Sequence, residues 1–261
     1  MYEDVPAHLK HQLWTWTAGY LSTGDADGIA KIRAVANHMR YDYARIPKAG
    51  SYTKKEQDMR AHIQKRCQDD EDQLRIIEFL LTESHPSSGL HLEGILRLGN
   101  SAYSVSADGK RLEMRADPAV RAGVQAVVEV AAGSPGDHLT NAWNEAFGRV
   151  PDPVKSYSES IKAVEAALAA RVSPQNGKQT LGTMVRDIRA KPGKWKFAIA
   201  DGNVGGVETV LNMMQLLWDG QTSRHGGVNP TRAETPEEAK AAVLLAAGLV
   251  QFGVSGAIAI A

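Results

Sequence analysis

Apolar residues recur every three or four positions through most of the chain, which is the spacing of an amphipathic α-helix. The first apolar stripe follows Pro6 and contains Leu9, Leu13, Trp16 and Tyr20. Similar stripes recur from residue 25 to the C-terminal region. The pattern therefore predicts a mainly α-helical bundle.

Residues 51–84 show this helical spacing without an obvious interruption. The first half of the segment is highly charged and the second half is strongly apolar. We therefore predict one long helix with one projecting end and one buried end. The run Pro86-Ser-Ser-Gly89 is predicted to end it, because proline and glycine favour turns and loops.

One segment alternates with the period of a β-strand instead. Tyr103 and Val105 alternate with serines, and Asp108-Gly109 is a dipeptide favoured in tight hairpin turns. We predict one small β-hairpin near residues 101–115. A single hairpin is too small to be stable alone, so it must pack against helices.

The C-terminal segment begins with a strong helix start at Thr235-Pro236-Glu237-Glu238. Residues 243–261 contain no charged side chain, and this length is sufficient to span a bilayer. However, the segment contains three glycines and no flanking basic cluster. We predict a buried central helix and no membrane association.

Composition narrows the class of protein further. The chain has 261 residues, with 30 basic and 30 acidic side chains, so no overall field attracts it to polyanions. The single cysteine, Cys67, excludes an internal disulfide and fits a reducing compartment. No secretory signal is visible, so we predict a cytoplasmic protein. We divide it into an N-terminal helical region with the hairpin, 1–133, and a C-terminal helical domain, 134–261.

Most common catalytic motifs are missing from the sequence. His8 and His11 are the only histidines at metal spacing on one predicted helix, and no cysteine pair exists. No phosphate-binding Gly-Lys-Ser/Thr loop and no nucleophile elbow occur. We therefore expect neither a metal site nor a cofactor.

The strongest candidate for chemistry is Arg224-His225, which follows an apolar helix that ends at Asp219-Gly220. A guanidinium offers a fixed fork of donors to phosphate, and an imidazole exchanges a proton near neutral pH. The same pair is also suited to capping a helix end or binding a carboxylate. The sequence alone leaves both interpretations open.

Lys162 and Glu165 are candidates to support this pair. They lie three residues apart on one predicted helix and sit beside its apolar stripe. One possibility is that Lys162 and Glu165 form a surface ion pair. The other is that Glu165 faces the loop, where it would hold Arg224 or orient His225.

A set of short motifs in a distinctive order gives a further indication. The order is Tyr157-Ser-Glu-Ser-Ile-Lys-Ala-Val-Glu165, Thr180-Leu-Gly-Thr-Met, a Leu-Leu-Trp helix with Ser-Arg-His-Gly-Gly, and Glu237-Glu-Ala-Lys-Ala-Ala-Val. This arrangement resembles the C-terminal helical domain of bacterial abortive-infection proteins. These are the AbiJ-type and Abi C-terminal families of the HEPN-like superfamily. The resemblance covers about residues 137–261.

The resemblance implies a helical, dimerising domain that acts in anti-phage defence. Many HEPN members are metal-independent ribonucleases, in which an RNA 2′-hydroxyl attacks the adjacent phosphate. By position, His225 would be the acid–base residue and Arg224 the phosphate clamp, with Glu165, Lys162 and Tyr157 in support. The expected partners are RNA or a phage component and a second copy of the chain.

The motif also departs from the pattern of these ribonucleases. They separate arginine from histidine by several residues on a helix, whereas Arg224 and His225 are adjacent. Adjacent side chains diverge on regular backbone, so both would reach one phosphate only if Gly226-Gly227 bends the loop. The alternative is a non-enzymatic helical sensor or interaction module of a phage-defence system, which binds a protein or nucleic-acid partner.

Overall fold

The computed structural model describes residues 5–42, 52–176, 179–199, 204–224 and 231–261. The described chain is mainly helical, with two small antiparallel sheets, which confirms the predicted fold class. It forms two compact units, Met1–Arg115 and Ala116–Ala261. The sequence had suggested a division after residue 133.

The described residues of the N-terminal unit form five helices and one hairpin, which pack around an apolar core. Leu9, Leu13 and Trp16 of the first predicted stripe are buried in it. The elements are α1 (Ala7–Ala18), α2 (Ala26–His38), α3 (Tyr52–Arg66), α4 (Asp70–Glu83), α5 (Pro86–Leu98), β1 (Tyr103–Val105) and β2 (Leu112–Met114).

The prediction of one long helix over 51–84 is wrong, because α3 and α4 are separate helices. Asp69 starts α4 by accepting a hydrogen bond from the Asp72 N–H at 3.0 Å. Three acidic residues follow in the first turn, where they are stabilised by the helix dipole. The apolar spacing continues through this break, so spacing alone did not locate it.

The preceding helix ends before the run Pro86-Ser-Ser-Gly89, as predicted, because α4 ends at Glu83. The run itself is not a loop, however, because Pro86 begins α5. Proline has no N–H to donate, and the first turn of a helix requires none. The His85 ring caps this end by accepting a hydrogen bond from the Ser87 N–H at 3.3 Å.

The predicted hairpin near residues 101–115 is confirmed. Strands β1 and β2 pair antiparallel, with Val105 opposite Leu112. Asp108 accepts a hydrogen bond from the Lys110 N–H at 3.0 Å, and Gly109 adopts a positive φ of 73°. The hairpin contacts α5, where Glu93 accepts a hydrogen bond from the Val105 N–H at 2.9 Å. The hairpin is therefore held on a helix, as its small size requires.

The C-terminal unit is built around one long helix, α8, which packs against α7 and α11. The Ser156 hydroxyl donates to the carbonyl of Ala142 at 2.9 Å, and the small residues on this face let α7 approach closely. The elements are α6 (Pro118–Ala131), α7 (Ser134–Phe147), α8 (Pro153–Val172), α9 (Leu181–Arg189), β3 (Trp195–Phe197), α10 (Val204–Asp219), α11 (Pro236–Ser255) and β4 (Ile258–Ile260).

A second small sheet corrects the expectation of a single hairpin. Trp195 and Phe197 belong to β3, which pairs antiparallel with β4. The predicted apolar helix therefore ends at Ser255, where Gly256 adopts a left-handed φ of 76°. The two strands lie far apart in sequence, so local patterning did not indicate their pairing.

The predicted start of α11 is confirmed. The Thr235 hydroxyl accepts a hydrogen bond from the Glu238 N–H at 3.2 Å, and Glu238 accepts one from the Thr235 N–H at 2.8 Å. One face of α11 is buried, including Ala239, Val243 and Val250. By length and composition, α11 could also span a membrane. The central helix of a folded unit often meets the same two criteria, so they do not by themselves indicate a membrane span.

Candidate functional site

An open cleft of about 470 Å³ lies beside α8 in the C-terminal unit. Three titratable side chains line this cleft: His138, Lys162 and Glu165. Lys162 and Glu165 come from α8, and His138 comes from α7. The packing of α7 on α8 therefore brings an imidazole next to two of the residues that the sequence had singled out.

The carboxylate of Glu159 connects two of these groups. Its Oε2 lies 2.7 Å from His138 Nδ1, and its Oε1 accepts a hydrogen bond from Lys162 Nζ, also at 2.7 Å. Glu159 is only 8% exposed, whereas His138 and Lys162 both reach the cleft. A buried carboxylate thus holds an imidazole and an ammonium group side by side.

The ionisation of Glu159 decides which nitrogen of His138 carries the proton. Burial raises the pKa of Glu159, but hydrogen bonds from Lys162 and His138 outweigh burial and hold this pKa below its usual value. The carboxylate is therefore ionised at neutral pH and only accepts hydrogen bonds. His138 Nδ1 must then be the donor, which leaves Nε2 of the neutral ring as a proton acceptor.

The pKa of Glu165 is shifted in the opposite direction. Its Oε1 accepts a hydrogen bond from the Leu181 N–H at 2.6 Å, at the beginning of α9. Burial raises the pKa of Glu165 above its usual value, although this hydrogen bond and the charges of Lys162, Arg224 and His138 oppose the shift. The pKa values of Glu165, which lines the cleft, and of Glu159, which is buried behind His138 and Lys162, are therefore shifted in opposite directions, an arrangement typical of acid–base sites.

The remaining wall of the cleft is uncharged. Ala166, Ala169 and Ala170 form an apolar surface along α8, and Asn176 and Gln179 add two side-chain amides. An apolar surface with a few polar groups is the usual composition of a small-molecule or nucleotide site.

Arg224 lies at the end of α10, where it contacts Trp218. Its guanidinium carbon lies 3.4 Å from the centre of a Trp218 ring, and its Nη1 donates to the Trp218 carbonyl at 2.8 Å. Such contacts satisfy a carbonyl at a helix C-terminus and stabilise the cation on an aromatic face. The preceding loop is fixed as well, since Ser223 donates through its N–H and its hydroxyl to Glu234, each at 2.8 Å.

Tyr157 is buried in the same region and has little capacity to act as an acid or base. Burial, together with the negative charges of Glu234 and Glu238, raises its pKa to about 12. A Cβ atom placed on Gly220 would lie 2.2 Å from the Tyr157 hydroxyl, so the loop passes directly over the phenol. Tyr157 is therefore a neutral packing residue at ordinary pH.

The predicted site residues are brought together in part. Arg224 interacts electrostatically with both Glu165 and Tyr157, and Lys162 and Glu165 share one cleft. Lys162, however, forms its ion pair with Glu159 rather than with Glu165. His225 lies outside the described residues. A phosphate-binding role for Arg224 and an acid–base role for His225 remain predictions.

Sequence reasoning missed His138, Glu159 and Gln179. A partial signal existed for Glu159, because it lies three residues before Lys162, a spacing at which helical side chains meet. No local signal connected His138 to them, because it lies 21 positions from Glu159 on another helix.

The described residues contain no group of three or more His, Cys, Asp or Glu side chains placed to hold a metal ion. Comparisons of the chain with protein-family models, with curated proteins and with solved structures give no match.

The contacts of Arg224 give a testable expectation. Arg224→Ala should lower the free energy of unfolding of the C-terminal unit by about 2 kcal/mol, because it removes a charged hydrogen bond to a helix end and a cation–aromatic contact. Urea unfolding measures the change. Arg186→Ala is the control, because Arg186 forms only an exposed ion pair with Asp187 and should cost less than about 0.5 kcal/mol. Equal stability of the two variants would contradict a structural role for Arg224.

Proposed function

We propose that this chain is a cytoplasmic anti-phage protein whose C-terminal unit cleaves single-stranded RNA without a metal ion. One observation carries the proposal: a buried carboxylate positions an imidazole and a lysine in the wall of an open cleft that also contains a carboxyl group with a raised pKa. The order of motifs in residues 157–243 supports the anti-phage role.

Metal-free RNA cleavage needs three groups, and the cleft offers all of them. A base accepts the proton of the 2′-hydroxyl, an acid gives a proton to the departing 5′-oxygen, and a cation stabilises the charge that develops on the phosphate. His138 Nε2 is suited to act as the base, Lys162 as the cation, and Glu165 as the acid when it carries a proton, a form that burial favours. The products are a 2′,3′-cyclic phosphate and a 5′-hydroxyl end.

The charges of the cleft are compatible with an anionic substrate. The charge of the ionised Glu159 is balanced by the Lys162 ammonium group, and burial disfavours the charged form of Glu165. A phosphate bound beside Glu165 would raise the pKa of that carboxyl further, since like charges disfavour ionisation. Substrate binding would thus shift Glu165 further towards the protonated form, in which it can act as the acid.

The proposal is tested by incubating the purified protein with labelled single-stranded RNA in the presence of EDTA. We expect cleavage to continue under these conditions and to yield 2′,3′-cyclic phosphate ends. Cleavage that stops when divalent ions are removed, or products with 3′-hydroxyl ends, would refute this mechanism.

Lys162→Met should reduce the rate of cleavage roughly 10- to 100-fold, because it removes the cation that stabilises the transition state. Lys155→Met is a closely matched control. Lys155 lies on the same helix and forms one ion pair, with Glu145 at 2.6 Å, but it does not line the cleft. If both variants lose activity equally, Lys162 has no specific role in the reaction.

A second candidate function is a non-enzymatic interaction module, and the contacts of Arg224 favour it. Its guanidinium is engaged with Trp218 at the end of α10, which is the arrangement expected if Arg224 has the structural role of capping that helix. This candidate predicts that the protein binds a partner in infected cells and that His225→Ala mainly lowers thermal stability. Loss of phage protection in a His138→Ala variant of normal stability would favour the ribonuclease instead.

A further inference from the structure

One segment of the C-terminal unit has a strong local excess of positive charge. Residues 186–196, which we call the basic segment, contain five basic side chains and one acidic side chain, whereas the whole chain has a net charge of zero. All five basic residues are exposed: Arg186, Arg189, Lys191, Lys194 and Lys196. A local excess of one sign of charge attracts the opposite sign, so this segment favours an anionic partner.

The end of α9 does not account for all of this charge. Arg186 and Arg189 lie in the last turn of α9, where they stabilise the negative end of the helix dipole. Each of them also forms an ion pair with a carboxylate, at 3.1 Å in both cases. Lys191, Lys194 and Lys196 lie beyond the helix, where its dipole has little effect. These three lysines therefore carry the excess of charge.

Two of the lysines line a second cavity, of about 260 Å³. Lys191 and Lys194 form its wall together with the ring of Trp195 and the carboxylate of Asp187. This carboxylate is paired with Arg186. The cavity thus combines two ammonium groups with a carboxylate whose charge is already balanced. Because lysine binds phosphate as a point charge, this composition suits a phosphate group better than a cation.

The second cavity is a neighbour of the cleft that contains His138 and Lys162. Val172, the last residue of α8, lines the second cavity, and the next two residues, Ser173 and Pro174, line the cleft. Consecutive Cα atoms are only about 3.8 Å apart, so both cavities border the C-terminal end of α8. A strand that occupies the cleft can therefore continue into the second cavity.

We propose that the basic segment binds the sugar–phosphate backbone of the RNA strand beyond the cleft, with Lys191 and Lys194 at the phosphates in the second cavity. Contacts with phosphates position a strand without reading its bases, so this binding is independent of sequence. It also weakens as the salt concentration rises, because each contact releases counterions from the strand. The inference rests on the proposed function in one respect, since it takes the strand in the cleft to be RNA.

Binding of RNA that cannot be cleaved tests the inference separately from the activity. The probe is a single-stranded decanucleotide with 2′-fluoro sugars, which lack the attacking hydroxyl. Lys191→Gln/Lys194→Gln should lower the slope of log affinity against log salt concentration by about 1.4, since each contact with a single strand contributes about 0.7. At about 0.1 M salt this change corresponds to about 25-fold weaker binding.

Lys54→Gln/Lys65→Gln is the matched control. It removes the same net charge from two exposed lysines of α3, in the other unit, so it measures the contribution of overall charge alone. We expect this control to bind the decanucleotide with the salt slope of the parent protein.

Cleavage of unmodified RNA provides a second measurement. Lys191→Gln/Lys194→Gln should raise KM for a decanucleotide with little change in kcat, because the lost contacts lie away from the reacting phosphate. Cleavage of a dinucleotide should change little, because its single phosphate cannot occupy both cavities.

Equal salt slopes for the parent protein and Lys191→Gln/Lys194→Gln would overturn the inference, and so would an equal loss in the control. Binding to phosphatidylserine vesicles that depends on these lysines, without such binding to RNA, would overturn it in favour of a lipid surface. Binding of RNA that depends on the lysines, by a protein that never cleaves it, would refute only the ribonuclease. Cleavage with no dependence of affinity on the lysines would refute only the role of the basic segment.

Discussion

His138→Ala should reduce RNA cleavage by about 10²- to 10⁴-fold, the contribution typical of a general base. The expected effect is large because the contact with Glu159 selects one tautomer of the neutral His138 ring. The ionised Glu159 fixes the proton on Nδ1, which leaves Nε2 to accept the proton of the 2′-hydroxyl. Single-turnover cleavage of labelled RNA measures the effect without a contribution from product release.

The variant Glu159→Gln keeps the His138 ring but changes the group that bonds to its Nδ1, so it tests whether that contact matters for cleavage. The amide that replaces the carboxylate can donate a hydrogen bond to Nδ1, which would place the proton on Nε2 and block its role as base. We therefore expect Glu159→Gln to lower kcat with little change in RNA affinity. His91→Ala is the control, because the exposed His91 lies on α5 of the other unit. Retained cleavage by a folded His138→Ala protein would remove His138 from the reaction.

The helices could be predicted from the sequence where the apolar period and the capping residues agree. The start of α11 is an example, since Thr235 and Glu238 form the reciprocal pair of hydrogen bonds that their spacing predicts. The hairpin around Gly109 is another, because a turn dipeptide and an alternating pattern coincide there. Both features depend on interactions between residues close in sequence.

Prediction failed where two local signals disagreed or where the partner was distant. Asp69 interrupts the helical pattern of 51–84 with a cap, although the apolar spacing continues across it. Strand β3 exists because Trp195 pairs with Ile260, a residue that local patterning cannot connect to it. Short strands depend on tertiary packing more than on intrinsic propensity.

The candidate site could be predicted only in part, for the same reason. Lys162 and Glu165 were identified because they lie on one helix, at a spacing that brings them to one side of it. His138 supplies the imidazole that could act as a base beside them. It lies on α7, so it is brought to this cleft only by the packing of α7 on α8. Glu159 looked like one more surface acid, and only its burial beside His138 and Lys162 reveals a positioning residue.

Arg224 shows how a motif can be recognised and still have two meanings. The sequence placed it correctly after the glycine that ends α10, and a guanidinium at that place has two natural partners. One is an incoming phosphate, and the other is the free carbonyl end of the helix itself. The guanidinium donates to the Trp218 carbonyl and lies against the Trp218 ring, so a phosphate would have to compete with these contacts.

The two compact units also allow function to be separated from global stability. If the C-terminal unit alone carries the chemistry, a change that weakens the core of the N-terminal unit should leave cleavage intact at temperatures where the protein stays folded. An ion pair of the N-terminal unit, in which only the carboxylate is buried, offers such a change. Glu56 is only 2% exposed, and Arg33 donates to it at 2.6 Å from a side chain that is 48% exposed.

Arg33→Met should destabilise the N-terminal unit by about 1–3 kcal/mol, because it removes the cation that pairs with the buried Glu56 carboxylate. The loss should be smaller than for a fully buried pair, because Arg33 is 48% exposed. Urea unfolding measures the loss, and the rate of RNA cleavage at 25 °C should stay unchanged. The double variant Arg33→Met/Glu56→Leu removes both charges and should return to within about 1 kcal/mol of the parent, since replacing a whole buried pair by apolar residues is often neutral. Equal stability of the single and double variants would show that the ion pair contributes no stability. A fall in cleavage in both variants would show that the chemistry is not confined to the C-terminal unit.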